Sequence, residues 1–278
     1  MENRQLSIPI YLNHKIVFDL MAILEQGFSK IRQIDISNTH TNIQESNENL
    51  SFLGLVTNNE STSEKVYTPS SLFSKLRDEL IERKFLKFID ESFEIEELRS
   101  GDFVEFSALL RKNPLIETFE GFIELMEVGL LFESFSKPDN QKSKGKSPTA
   151  TQLVEMKKFM SKINTSNTLD LLGTISHNEE AIQAVVPVEN VFFNNKTPAD
   201  LIDGRFTVVG KTIKSIHNSS EESINLLRGT SLGLLPTEHR NQFVYQLSQL
   251  TTMGLEFPKI FTEVKGPAIQ IVPVAIFI

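Results

Sequence analysis

Cysteine is absent from the 278 residues, which excludes a disulfide framework, a thiolate metal site and a cysteine nucleophile. Tryptophan is absent too, and the aromatic content rests almost wholly on 21 phenylalanines beside three tyrosines. Long apolar runs are missing. The most apolar stretch, Ala268–Ile278, has eleven residues and contains Pro273, too short for a membrane-crossing helix and better suited to a buried C-terminal strand. The opening Met1–Ser7 is polar, and the apolar residues after it are broken by Pro9, Asn13, His14, Lys15 and Asp19. It reads as neither a signal peptide nor a membrane anchor, so a cytoplasmic location is expected. Positive charge is in deficit: 28 Lys and Arg face 36 Asp and Glu, giving a net charge of −8. That balance weighs against general attraction to nucleic acid or to an anionic membrane.

Catalytic motifs are lacking as well. There is no phosphate-cradling loop and no GxGxxG, and Ser231-Leu232-Gly233 lacks the flanking glycine of a nucleophile elbow. His14, His40, His177, His217 and His239 stand singly, without the HxH or HExxH spacing that puts two ligands on one face. No catalytic residue, metal ligand or cofactor is therefore expected.

What is present describes a folded α+β protein. Hydrophobic residues make up 40% of the chain and charged residues 23%, and folding at this length removes roughly 70% of the surface from water. Ile8–Leu12 has strand character, with Pro9 placing it at an edge or a strand start. Asn13 then caps a helix read to Gln26. Thr68-Pro69-Ser70 starts an amphipathic helix through Lys84, Phe103–Leu110 reads as a strand, and Leu115–Phe135 returns to the helical period. Further along, Leu153–Ile163 and Phe243–Leu250 read as helices, and Leu169–Leu172 as part of a short one. Ala181–Val188 and Arg205–Ile216 read as strands, the latter with a bulge at Gly210. The turn before Phe103 echoes in Gly204-Arg205-Phe206, a match short enough to be coincidence.

Hydrophobic residues vanish between Ser136 and Pro148, the mark of a tether. The expected organisation is two mixed helix/strand domains, residues 1–136 with a polar insert near 37–65 and residues 149–278, joined by a Lys/Ser/Pro-rich linker at 137–148. Regular β–α alternation is missing, so the class is α+β. Ile8–Leu12 and Ile269–Ile278 are candidate edge strands, which favours a homo-oligomer.

Three functional readings compete at the level of residues. The Ser70–Lys84 helix has the form of a winged-helix recognition helix and offers Lys75, Arg77, Arg83 and Lys84 to nucleic acid, diluted by Asp78, Glu79 and Glu82. Tyr11-Leu12-Asn13 followed by Asp19 is faintly similar to the opening of PIN-type nucleases, and Asp19 and Glu105 would be the first carboxylates of such an effector. Glu117, Glu120, Glu124 and Glu127 follow helical spacing and read as a solvated face. The third reading is a component without catalytic equipment of its own that works through a partner.

Four stretches together, Ile8–Ser29, Gly101–Leu115, Asp203–Gly233 and Lys265–Ile278, resemble a bacterial domain-of-unknown-function family, the one that includes DolA of the Dodola anti-phage system. The resemblance spans nearly the whole chain and rests on strand and turn sequences rather than catalytic motifs. It implies a defence component, with a ClpB-like AAA+ ATPase as partner and a phage component as a second contact. Members of that family often carry Asp where this chain has Asn13.

Overall fold

The computed structural model describes residues 8–25, 67–136, 148–163, 168–177, 180–193, 201–218, 221–251 and 259–278. The expected polar insert at 37–65 and residues 137–147 of the expected linker lie outside these.

The chain begins with strand β1 (Pro9–Leu12) and helix α1 (His14–Leu24). Asn13 starts the helix, its Oδ1 accepting the Ile16 N–H at 3.2 Å, an N-cap that satisfies one of the free donors of the first turn. Helix α2 (Pro69–Glu82) starts in the same way. Thr68 Oγ1 accepts from the Ser71 N–H, and Pro69, which has no N–H to leave unpaired, takes the first turn. Its buried residues Leu72, Phe73, Leu76 and Leu80 line one face. Strands β2 (Leu86–Ile89) and β3 (Phe103–Lys112) follow, then the long helix α3 (Pro114–Ser136) and helix α4 (Pro148–Ile163). The remainder comprises β4 (Thr168–Ile175), β5 (Ile182–Glu189), β6 (Gly204–Ile216), β7 (Ser223–Asn225), α5 (Thr237–Thr251), β8 (Glu263–Lys265) and β9 (Ala268–Phe277).

Strand pairing closes on itself. Around the ring, β3 pairs β4, β4 pairs β5, β5 pairs β9, β9 pairs β6 and β6 returns to β3. All these pairs are antiparallel except β5 with β9. β3 also takes β2 alongside Phe103–Phe106, and β9 takes β1 alongside its last residues, so the two short strands extend the barrel at its corners. Inside lie Val104, Phe106, Ala108 and Leu110 of β3, alternating with outward residues as the pleat requires. Leu171 and Ile175, Ile182 to Val188 at alternate positions, Phe206, Val208, Ile269 and Ile271 complete the filling. The interior is narrow: a Cβ on Gly173 would stand 3.2 Å from Ala108 and 3.3 Å from Ala184. Small residues on three adjacent strands let them approach at that level.

The outside is covered in patches. Helices α1 and α2 together lie over Leu12, Leu86, Val209, Val274 and Phe277. The β7–β8 ribbon places Ile224, Leu226 and Val264 on Leu172, Val185 and Ile216. The first turns of α3 bury Leu115, Ile116 and Phe119 against Met160, Leu227 and Ile260. Arg240 ties α5 to β8, its Nη2 donating to Glu263 Oε1 at 2.5 Å.

The mixed α+β class holds, and three finer expectations are corrected. The division into domains 1–136 and 149–278 does not separate two sheets, because β3 from the first part pairs along its length with β4 and β6 from the second. The helical reading of Leu169–Leu172 gives way to strand β4: a short apolar run fits either period, and neighbours β3 and β5 decide it. The last strand is not an edge. β9 is flanked by β6 on one side and by β5 and β1 on the other, and β1 pairs within the same chain. The echoed turns open β3 and β6, which lie antiparallel to each other.

Candidate interaction surface

Helix α2 holds the cations offered to nucleic acid, and three of the four are matched with carboxylates. Lys75 Nζ meets Glu25 Oε1 at 2.5 Å, a bond that raises the lysine above its ordinary value. Arg77 forms a two-pronged pair with Glu105, Nε to Oε2 at 2.6 Å and Nη2 to Oε1 at 2.7 Å, which raises the guanidinium likewise. Arg83 bonds Glu79 one turn back and reaches the Leu24 carbonyl of α1. Lys84 has left the helix. At φ 58° it ends α2 in the left-handed region, with Lys84 N–H bonded to Ile81 O and Phe85 N–H to Leu80 O. The cations of the recognition-helix reading thus hold α2 to α1 and to the barrel, and they do not form one cationic face.

The carboxylates of the nuclease reading are not brought together. Asp19 lies on the exposed side of α1, while Glu105 is buried on β3 under Arg77. Asn13 is buried and spends its oxygen on capping α1, a task Asp performs equally well. Among the described residues no three His, Asp or Glu side chains gather as metal ligands do.

Cavities open on the surface formed by the described residues. One of about 450 Å³ is lined by Phe93, Ile95, Ile182 and Pro267 together with Glu91, Glu94, Glu96 and Glu180. His177 closes one side, its Nε2 3.0 Å from the Phe93 carbonyl. Another, about 250 Å³, lies between β4, the start of α3 and the turn at Leu226–Thr230. There Arg228 grips Asp170 through two 2.8 Å bonds, fixing the turn to β4, and Asn113 Oδ1 accepts from Leu115 N–H.

Helix α3 presents the most exposed apolar surface. Its first turns are buried, but further along Leu125 is 44%, Val128 46%, Leu131 58% and Phe132 67% exposed. Positions 125, 128 and 132 lie at i, i+3 and i+7, along one side of the helix. The acidic series on this helix is only partly a solvated face: Lys112 pairs with Glu120, Lys157 pairs with Glu127, and Glu117 and Glu124 remain exposed. Sequence reasoning missed the apolar stretch. Its signal was that Phe122 to Phe132 carries apolar residues on every side of the helix, a pattern that demands burial all round.

The fold and this surface define the class as an α+β protein built on a closed five-stranded barrel, with helices on its outside. The chain belongs to the family described as a domain of unknown function (DUF6414), whose model matches residues 6–277. No curated protein and no solved structure matches it. Among the described residues no helix is long and apolar enough to cross a membrane.

Proposed function

We propose that this chain is a non-enzymatic component of a bacterial anti-phage defence system, which binds a ClpB-like AAA+ ATPase and regulates it or links it to a sign of infection. One structural observation carries the interaction half of this reading, the exposed apolar side chains of α3. Contiguous apolar surface rimmed by charge marks protein contact sites. The barrel supports the same reading, because its interior is filled by aliphatic and phenylalanine side chains and works as a scaffold. The defence half and the identity of the partner rest on the resemblance to the DolA-containing family.

The test is light scattering on size-separated samples of the protein alone, a ClpB-like AAA+ ATPase alone, and the two mixed with ATP. A heavier species containing both chains is expected. A mixture that remains the sum of its parts, with and without ATP, overturns the assignment of this partner.

A further inference from the structure

From Phe122 to Phe132 helix α3 carries apolar residues all round, and among the described residues one side of it packs on other elements. Its inner side packs on α4 and the cluster around Leu227. Its outer side runs from the carboxylates Glu117 and Glu124 to the apolar Leu125, Val128, Leu131 and Phe132. Residues 117, 121, 124, 125, 128 and 132 fall within one side of a helix of 3.6 residues per turn. The outer side is thus acidic towards the N-terminus and apolar beyond it.

Two features say what fits there. The first is charge. Between Pro114 and Ser136 the sequence carries five glutamates and no lysine or arginine. Two of the five are taken up by Lys112 and Lys157, and Glu117 and Glu124 remain exposed beside the apolar stretch. A second copy laid on this face would bring five more carboxylates and no cation from its own α3, whereas a basic partner meets the unmatched charge. The second is Gly129, exposed within the stretch. A Cβ at this position would meet nothing within 4 Å, so no packing among the described residues requires glycine, and glycine weakens a helix interior relative to alanine. Its lack of a side chain lets a second backbone come close.

We propose that the outer face of α3 docks an amphipathic helix of a partner protein, one with an apolar stripe for Leu125, Val128 and Phe132 and with lysines or arginines on its flank for Glu117 and Glu124. The mode is helix against helix, with apolar anchors at i, i+3 and i+7 and charge setting the orientation. This inference rests on the reading that the chain works through a protein partner, and it specifies the surface and chemistry of that contact.

The experiment uses the full chain and two labelled synthetic helical peptides with one shared leucine pattern, one flanked by lysine and the other by glutamate, followed by fluorescence anisotropy. The lysine peptide is expected to bind about tenfold or more tighter than the glutamate peptide. Leu125→Ser with Phe132→Ser should lower its affinity about tenfold or more with only a small fall in melting temperature, since Leu125 is 44% and Phe132 67% exposed. Glu117→Lys with Glu124→Lys should reverse the order of the two peptides. Gly129→Ala should raise the melting temperature of the free protein, and Gly129→Leu should weaken peptide binding. Failure of both peptides to bind, equal binding of the two, or binding undiminished by the serine pair overturns the proposal, as does self-association that the serine pair abolishes. The same serine pair tested against the ATPase separates this inference from the reading beneath it. A complex that forms and survives the substitutions keeps the partner and removes this face, whereas peptide binding without any complex keeps the face and removes that partner.

Discussion

Tyr11 is sealed at the join between β1 and the Asn190–Phe193 turn, with the rings of Phe192 and Phe193 edge-on to it at 6.0 and 5.3 Å. Burial pushes its phenol from the ordinary value near 10 up to about 12, and the nearby charge of Glu189 adds to the rise. The folded state therefore favours the neutral phenol. That contribution is fully present below pH 10 and is lost as the pH rises through 12. Between these limits the wild type should lose about 2 kcal/mol more stability than Tyr11→Phe, which has no proton to release there. Urea unfolding of both proteins at several alkaline pH values checks it, and parallel curves would show that Tyr11 is not held in its neutral form. Lys84 is also decided by its backbone, since its φ of 58° ends a helix whatever its charge offers to a partner.

At the scale of elements, the joint between α2 and the barrel combines an apolar face with one ion pair. Leu72, Phe73, Leu76 and Leu80 bury against the outer wall, each contributing about 1.5–3 kcal/mol if fully removed from water. Beside them Arg77 and Glu105 form a two-pronged pair at a site where Glu105 is only 8% exposed. Removing one partner strands the other. Because Arg77 keeps about a third of its side chain in water, Glu105→Gln should cost about 1–3 kcal/mol, less than for a fully enclosed pair. Arg77→Met combined with Glu105→Leu should recover most of that loss. Denaturant midpoints for Arg77→Met, Glu105→Leu and the double give the coupling, and additive effects would show that the pair does not join α2 to β3.

The whole molecule is governed by ring closure. β3 comes before residues 137–147 and its partners β4 and β6 come after them, so a chain cut there loses a wall from each side. Residues 1–136 and 149–278 expressed separately should each lack the slow amide exchange of a packed sheet, and expressed together they should co-purify, since each supplies strands the other needs. A protected, monomeric 149–278 fragment would show that the second part closes a sheet without β3. Closure also explains how the charge deficit is managed. The ion pairs lie outside the barrel, while its interior takes only small and apolar side chains.

Local chemistry was legible in the sequence wherever it acts within a few residues. Asn13 and Thr68 announced α1 and α2 because a cap bonds only two or three positions ahead. The period of Leu72, Phe73, Leu76 and Leu80 gave the buried face of α2, and Gly210 marked the irregularity that the register of β6 on β9 shows. Leu169–Leu172 was misread because four apolar-rich residues carry no period of their own, and strand became the answer only with β3 and β5 on either side. The candidate surface was half legible: the glutamates of α3 stood in the sequence, but which of its apolar sides faces α4 and which faces water depends on how the helix is laid down. Arg77 and Glu105, 28 positions apart, read as a nucleic-acid contact and a metal ligand until folding set them against each other. The sequence by itself determined the caps of α1 and α2, the periodic helices and the α+β class, because those follow from neighbours along the chain. Only the tertiary structure decided that the strands close into one barrel, because pairing of β3 with β6, and of β1 with β9, joins residues that no local pattern connects.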